Sequence, residues 1–222
     1  KKLHVIMKKF GRKAFRALCM ADVSGSMDGT PMQVAIAMGI AVSSLQPHSS
    51  SFRNKILTFE DTPKIVQLEE PVNLAEAALK VVNADWGGST DFEKALELYL
   101  QLDKNEEREP GTLLIISDMQ FNSARLDSNI PWESTYERML RRFSEEDREM
   151  PLIIFWSVRD TKTVAIQSEK MRGVVMLGGF SDVLLESIFD PELKDRTPES
   201  ELKKYLSKPE LKCIRLSLSD ED

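Results

Sequence analysis

Two short apolar runs, each followed at once by polar residues that include an aspartate, constrain the fold of this 222-residue chain more than any other feature. Ala17–Ala21 precedes Asp22, and residues 113–116 precede Ser117 and Asp118. Apolar runs of this length, without alternating polar positions, are typical of parallel strands that are buried on both faces. We therefore predict an α/β sheet with carboxylates at the carboxyl ends of its strands, where open sheets bind ligands.

Strand-like and helix-like segments alternate along the chain, which indicates a sheet covered by helices on both faces. Residues 60–63 join two strand-like segments too tightly for a helix, so we expect a hairpin there. The predicted fold class is a Rossmann-like α/β sheet of six strands, mostly parallel, with one antiparallel edge strand. The predicted strands are 14–21, 55–59, 65–68, 113–117, 152–158 and 174–177, and the predicted helices are 31–45, 74–82, 92–103, 132–143, 182–189 and 202–211.

Two of these helices differ in their side chains. The helix 31–45 has almost no polar face, which predicts burial on most sides, and Pro31 suits its first turn. The helix 132–143 carries charged residues around a few apolar ones, which predicts a surface position.

Composition narrows the class of protein. A net charge of −6 argues against nonspecific nucleic-acid binding by the surface as a whole. No apolar stretch reaches the length that crosses a bilayer, so we expect no membrane association. Cys19 and Cys213 form no metal or redox motif and no disulfide framework, which favours buried thiols and a cytoplasmic location.

Three segments offer oxygen ligands for a metal ion. Asp22, Ser24 and Ser26 alternate in one loop, Thr90 follows a Gly-Gly-Ser turn, and Asp118 ends a strand. Each segment also has an ordinary structural interpretation: an Asx or serine turn for the aspartates and serines, and a helix N-cap for Thr90. Carboxylates, hydroxyls and water suit a hard divalent cation such as Mg²⁺ or Mn²⁺.

The joint pattern resembles the von Willebrand factor type A family and its metal-ion-dependent adhesion site. The resemblance extends from about residue 14 to 189 and implies a noncatalytic module that binds an acidic residue of a partner protein through Mg²⁺, Mn²⁺ or Ca²⁺. The metal set that the resemblance implies is complete and consists of Asp22, Ser24, Ser26, Thr90 and Asp118.

Three further segments carry a narrower resemblance: 118–121, 155–159 and 178–181. They are similar to an intracellular eukaryotic family in which a type A-like domain forms the C-terminal half of a longer protein. Its wider relatives include the Ro ribonucleoprotein autoantigen. We therefore expect this chain to be part of a longer protein, with a basic flank at 1–13, the type A-like domain at 14–215 and an acidic tail at 216–222.

Two other functions stay open. RNA association draws on basic residues that precede or adjoin the first strand: Lys1, Lys2, Lys8, Lys9, Arg12, Lys13 and Arg16. A solvated flank is the simpler interpretation of that segment, and an RNA partner is less favoured than a protein partner.

A metal-dependent phosphoester hydrolase would use Asp22 and Asp118 with the nearby Asp28 and Asp91 to hold Mg²⁺ against a phosphate. The simpler interpretation is that Asp28 and Asp91 tune local charge or cap helices. The sequence lacks a phosphate-binding glycine loop and a nucleophile elbow, and we expect its two histidines, His4 and His48, at the surface.

Overall fold

A sheet of six strands lies at the centre of the computed structural model. The structure describes residues 16–60, 62–84, 91–106, 111–118, 132–159, 173–179 and 188, and at 132–134 it describes the backbone alone. Its strands follow the spatial order β3-β2-β1-β4-β5-β6. Strand β3 pairs antiparallel to β2, and all other neighbours are parallel. The predicted fold class is confirmed. The strands are β1 (Ala17–Ala21), β2 (Lys55–Leu57), β3 (Ile65–Gln67), β4 (Thr112–Ser117), β5 (Leu152–Ser157) and β6 (Val174–Gly178).

Four helices of the described residues cover both faces of the sheet. They are α1 (Thr30–Ser44), α2 (Leu74–Val82), α3 (Phe92–Asp103) and α4 (Trp132–Glu145). Alternate residues of each strand point to opposite faces, so Cys19 packs with residues of α1 and α2, whereas Leu18 and Met20 pack with residues of α3 and α4. The two apolar clusters bury the central strands completely, which is why their sequences lack polar alternation.

Helix α1 confirms the prediction of a helix buried on most sides. Thr30, Gln33 and Ala37 are its exposed residues, and Pro31 lies in its first turn. The helix packs against β1 at Gly39, where a built Cβ would lie in van der Waals contact with the Cβ of Ala21, at 3.4 Å.

Helix α4 confirms the opposite prediction. Tyr136, Met139 and Phe143 form its buried side, and the other described side chains of the helix are exposed or half-buried. This spacing gives one apolar stripe that packs on the sheet.

The hairpin between β2 and β3 is where a predicted boundary shifts most clearly. The predicted strand 55–59 ends at Leu57, because Thr58 already belongs to the turn: its amide donates to the carbonyl of Lys64 at 2.9 Å, and its hydroxyl accepts from the Lys64 amide at 2.8 Å. Of the predicted strand 14–21, the described residue Arg16 lies outside the strand and Ala17–Ala21 forms β1, and β4 starts one residue earlier than predicted.

Several predicted segments lie outside the described residues. These are the flank 1–13, the tail 216–222, the helix 202–211 and all of the helix 182–189 except Ile188, which is buried. The division of the chain into these parts therefore stays a prediction.

The single described cysteine has the expected structural role. Cys19 is a free, fully buried thiol in β1, and burial raises its pKa far above the usual range. Cys213 lies outside the described residues. None of the helices in the described part of the chain combines the length and the apolar character that a membrane crossing requires.

Candidate metal site

The carboxyl ends of β1 and β4 bring two buried aspartates to one edge of the sheet. The strands pair in parallel with Ala21 opposite Ile116, and the Asp22 amide donates to the Ile116 carbonyl at 2.9 Å. Asp22 is 2 % exposed and Asp118 is 1 % exposed. The structure thus brings these two predicted ligands into the same small region.

The carboxylate of Asp22 is held by a hydrogen bond to each of its oxygens. The Ser24 amide donates to Oδ1 at 2.8 Å, and the Ser117 hydroxyl donates to Oδ2 at 2.6 Å. Burial raises the pKa of Asp22, the bonds from Ser117 and Ser24 oppose that rise, and the charge of Asp118 adds to it. Two negative charges are therefore crowded in a poorly solvated place, and a cation there would relieve that cost.

The loop after β1 places both predicted serines together. Ser24 has an extended backbone, and its hydroxyl lies 3.1 Å from the hydroxyl of Ser26. A short 3-10 turn, Gly25–Met27, follows, and Met27 is fully buried, which anchors the loop to the core. The structure therefore brings together four of the five predicted ligands in two adjacent segments.

Thr90, the fifth predicted ligand, lies outside the described residues. The described part of the chain resumes at Asp91, which is the N-cap of α3 and accepts from the Lys94 amide at 3.2 Å. The ordinary interpretation of Asp91 as a helix cap is confirmed.

Asp28, the other nearby carboxylate, also has a local role. It is exposed, and its Oδ1 accepts from the amide of Gly29, the next residue, at 2.9 Å. Gly29, and not Asp28, is the N-cap of α1, so the interpretation that Asp28 tunes the local charge remains and the interpretation that it caps this helix does not.

The donor set fits a hard divalent cation. Among the described residues there is no cluster of three or more histidine, cysteine, aspartate or glutamate side chains that could hold a metal, so a site built from these residues needs hydroxyl oxygens as well as carboxylates. Asp22 and Asp118 with Ser24 and Ser26 supply that mixture, which is the chemistry that Mg²⁺ and Mn²⁺ prefer. The residues that are present therefore fit such an ion.

Sequence reasoning missed two residues of this edge. The sequence indicates Ser117 only as the neighbour of Asp118, whereas the structure shows that it donates to Asp22, which directly follows the adjacent strand β1. Arg159 follows β5, and its Nη1 lies 3.9 Å from Oδ2 of Asp118. The parallel register of β1 and β4 could have indicated the first contact, but no sequence signal indicates the second.

Arg16 and His48, two described residues outside this edge, have local partners. Arg16, counted above with the basic flank, is 10 % exposed and lies 3.7 Å from Glu106, so it is not a free part of an RNA-binding surface. His48 is exposed beside Glu70, as predicted. His4 and the rest of the basic flank lie outside the described residues.

The fold that carries this edge is also found in a solved structure. The crystal structure of the Ro (RSR) protein of Deinococcus radiodurans matches with a TM-score of 0.61 and 16% sequence identity, over 82% of this chain and 35% of that chain. The similarity supports the Rossmann-like, type A-like class of α/β fold that the sequence predicted.

The chain belongs to a family defined as a domain of unknown function (DUF7788), whose model matches residues 16–213. A relative from Acanthamoeba polyphaga mimivirus, "Uncharacterized protein L728", is 37% identical over 178 residues, which cover 78% of this chain and 30% of that protein. This chain thus spans about a third of the length of the viral relative and of the Ro protein. Neither of the two carries the name of an enzyme.

Proposed function

We propose that this chain is a divalent-metal-dependent protein-interaction module with a metal-ion-dependent adhesion site. In this proposal Mg²⁺, or Mn²⁺ or Ca²⁺ in its place, is held by the five residues Asp22, Ser24, Ser26, Thr90 and Asp118, and a partner protein adds an acidic side chain. The observation that carries the proposal is that two buried aspartates and two serine hydroxyls converge at the ends of two adjacent parallel strands.

The charge of this set favours an acidic partner. Two carboxylates balance a divalent ion without excess negative charge, so the ion keeps enough attraction for one more carboxylate. The protein's own contribution is to hold Asp22 through Ser24 and Ser117 and to keep Asp118 out of bulk water. Because these donors are fixed before binding, little ordering cost remains when a partner arrives.

A hydrolase would need a general base or a second metal beside the first. His48, the histidine in the described part of the chain, lies exposed beside Glu70. Asp28 accepts from the next amide in its loop, and Asp91 accepts from the Lys94 amide in the first turn of α3. These contacts favour a binding role over a catalytic one.

RNA association is a second candidate, supported by the basic residues that precede β1. The pairing of Arg16 with Glu106 removes one residue from that set. Reversing the charges of Lys8 and Lys9 separates the two functions, since it would reduce RNA retention and leave metal binding unchanged.

Selection from a random peptide library in Mg²⁺ tests the main proposal. We expect the selected peptides to share an aspartate or glutamate at one position and to lose binding when that residue is changed to its amide or when chelator replaces Mg²⁺. The variant Asp22→Asn combined with Ser24→Ala should retain none of them, whereas Asp28→Asn, a carboxylate change in the same loop, should retain all. Selected peptides that bind equally well in chelator would refute the proposal.

A further inference from the structure

We propose that Arg159 is a counter-cation built into the candidate metal site. Its guanidinium neutralises Asp118 in the metal-free protein and competes with the incoming metal ion, so that it lowers the metal affinity of the site. This inference rests on the proposed function, because it assigns a regulatory role to a residue beside the same site.

The backbone of Arg159 is fixed at the edge where the metal would bind. Strand β5 pairs in parallel with β4, with Ser157 opposite Ser117. Just beyond the pair, the Val158 amide donates to the Ser117 carbonyl at 3.0 Å, and the Ser157 hydroxyl donates to the Arg159 carbonyl at 2.9 Å. These bonds hold Arg159 one strand away from Asp118.

The side chain of Arg159 combines contact with access to solvent. Its Nη1 lies 3.9 Å from Oδ2 of Asp118, whose side chain is 1 % exposed, while the Arg159 side chain itself is 40 % exposed. The guanidinium is therefore partly open to solvent, whereas the carboxylate of Asp118 is buried at the site.

The charges explain why the two cations compete. In the metal-free protein, Asp22 and Asp118 repel each other, and a positive group beside Asp118 offsets part of that repulsion. A divalent ion bound to Asp118 supplies the same neutralisation and repels the guanidinium at close range.

Two measurements with opposite expected signs test the inference. In Arg159→Gln, titration calorimetry should show Mg²⁺ binding about threefold to tenfold tighter than in the wild type, because a charge that repels the ion has been removed. In chelator, the same variant should melt about 1–4 °C lower than the wild type, because a partly exposed ion pair has been lost.

Two variants serve as controls. Arg159→Lys keeps the charge and should stay closer to the wild type in both measurements. Arg142→Gln removes an arginine of α4 with similar exposure, 47 %, which pairs with Glu146 just beyond the helix, and it should leave the Mg²⁺ affinity unchanged.

The outcomes separate the inference from the proposed function. If the wild type binds Mg²⁺ and Arg159→Gln binds it equally or more weakly, the counter-cation role is refuted and the adhesion-site proposal survives. If the wild type does not bind Mg²⁺, the proposed function is refuted, and so is the inference about Arg159 that rests on it. A tighter Mg²⁺ complex together with a lower melting temperature in chelator is the result that supports both.

Discussion

The hydrogen bond from Ser117 to Asp22 gives the sharpest prediction about how this edge of the sheet works. Ser117 is 1 % exposed, and its hydroxyl donates to Oδ2 of Asp22 at 2.6 Å. In Ser117→Ala the buried carboxylate of Asp22 loses the hydroxyl that donates to its Oδ2, so a charged acceptor is left less well satisfied. We expect both the stability and the metal affinity to fall.

The magnitude follows from the charge of the acceptor. Hydrogen bonds to charged groups contribute about 1.5–3 kcal/mol to stability, roughly twice the value for neutral pairs. The same loss leaves Asp22 less well oriented toward the ion, and a penalty of about 1.4 kcal/mol corresponds to tenfold weaker Mg²⁺ binding. We therefore expect Ser117→Ala to unfold about 1.5–3 kcal/mol more easily in chelator and to bind Mg²⁺ about tenfold more weakly.

Urea denaturation in chelator and calorimetric titration of Mg²⁺ measure the two effects. Ser43→Ala is the matched control, since Ser43 is also fully buried and its hydroxyl donates to a neutral acceptor, the Ile40 carbonyl, at 3.0 Å. This control should lose at most about 1 kcal/mol, because alanine also favours the helix, and it should bind Mg²⁺ like the wild type. Equal effects of the two substitutions would refute the reasoning.

Two further predictions concern the charge of Asp22 and the packing of the sheet. In the folded, metal-free chain the pKa of Asp22 lies above its ordinary value of 3.8, so protonation of this carboxyl stabilises the fold. The stabilisation is complete below pH 3.8 and is lost as the pH rises through the raised pKa of the folded chain. Asp22→Asn should thus raise the melting temperature in chelator at neutral pH, and an unchanged melting temperature would contradict this. The Mg²⁺ affinity of the wild type should increase with pH over the same range. Gly111→Ala should lower the free energy of unfolding in urea by about 1–3 kcal/mol, since the added Cβ would lie 2.5 Å from the Tyr99 hydroxyl and 2.9 Å from the Arg16 carbonyl. A variant as stable as the wild type would show that these neighbours can move apart and would contradict the prediction.

The convergence of Asp22 and Asp118 could be predicted from the sequence because it depends on backbone rules alone. Two fully apolar runs indicate central parallel strands, and the carboxyl ends of neighbouring parallel strands meet at one edge. The burial of α1 on most sides followed in the same way from its lack of a polar face.

Side-chain contacts between strands were less accessible to sequence reasoning. The direction in which Ser117 donates depends on the register of β4 against β1, and the position of the Arg159 guanidinium depends on several rotatable bonds beyond the end of β5. The early end of β2 had a similar cause, since the Thr58 hydroxyl accepts from a backbone amide in place of a ladder partner. The participation of Thr90 stays a prediction.

Calorimetric titration of Mg²⁺ into chelator-treated protein tests the central claim most directly. The account predicts saturable one-to-one binding that is lost in Asp118→Asn and retained in Asp28→Asn, whose carboxylate bonds only within its own loop in the described structure. Absence of binding by the wild type, or binding that survives Asp118→Asn, would contradict the claim that this edge of the sheet is a metal site.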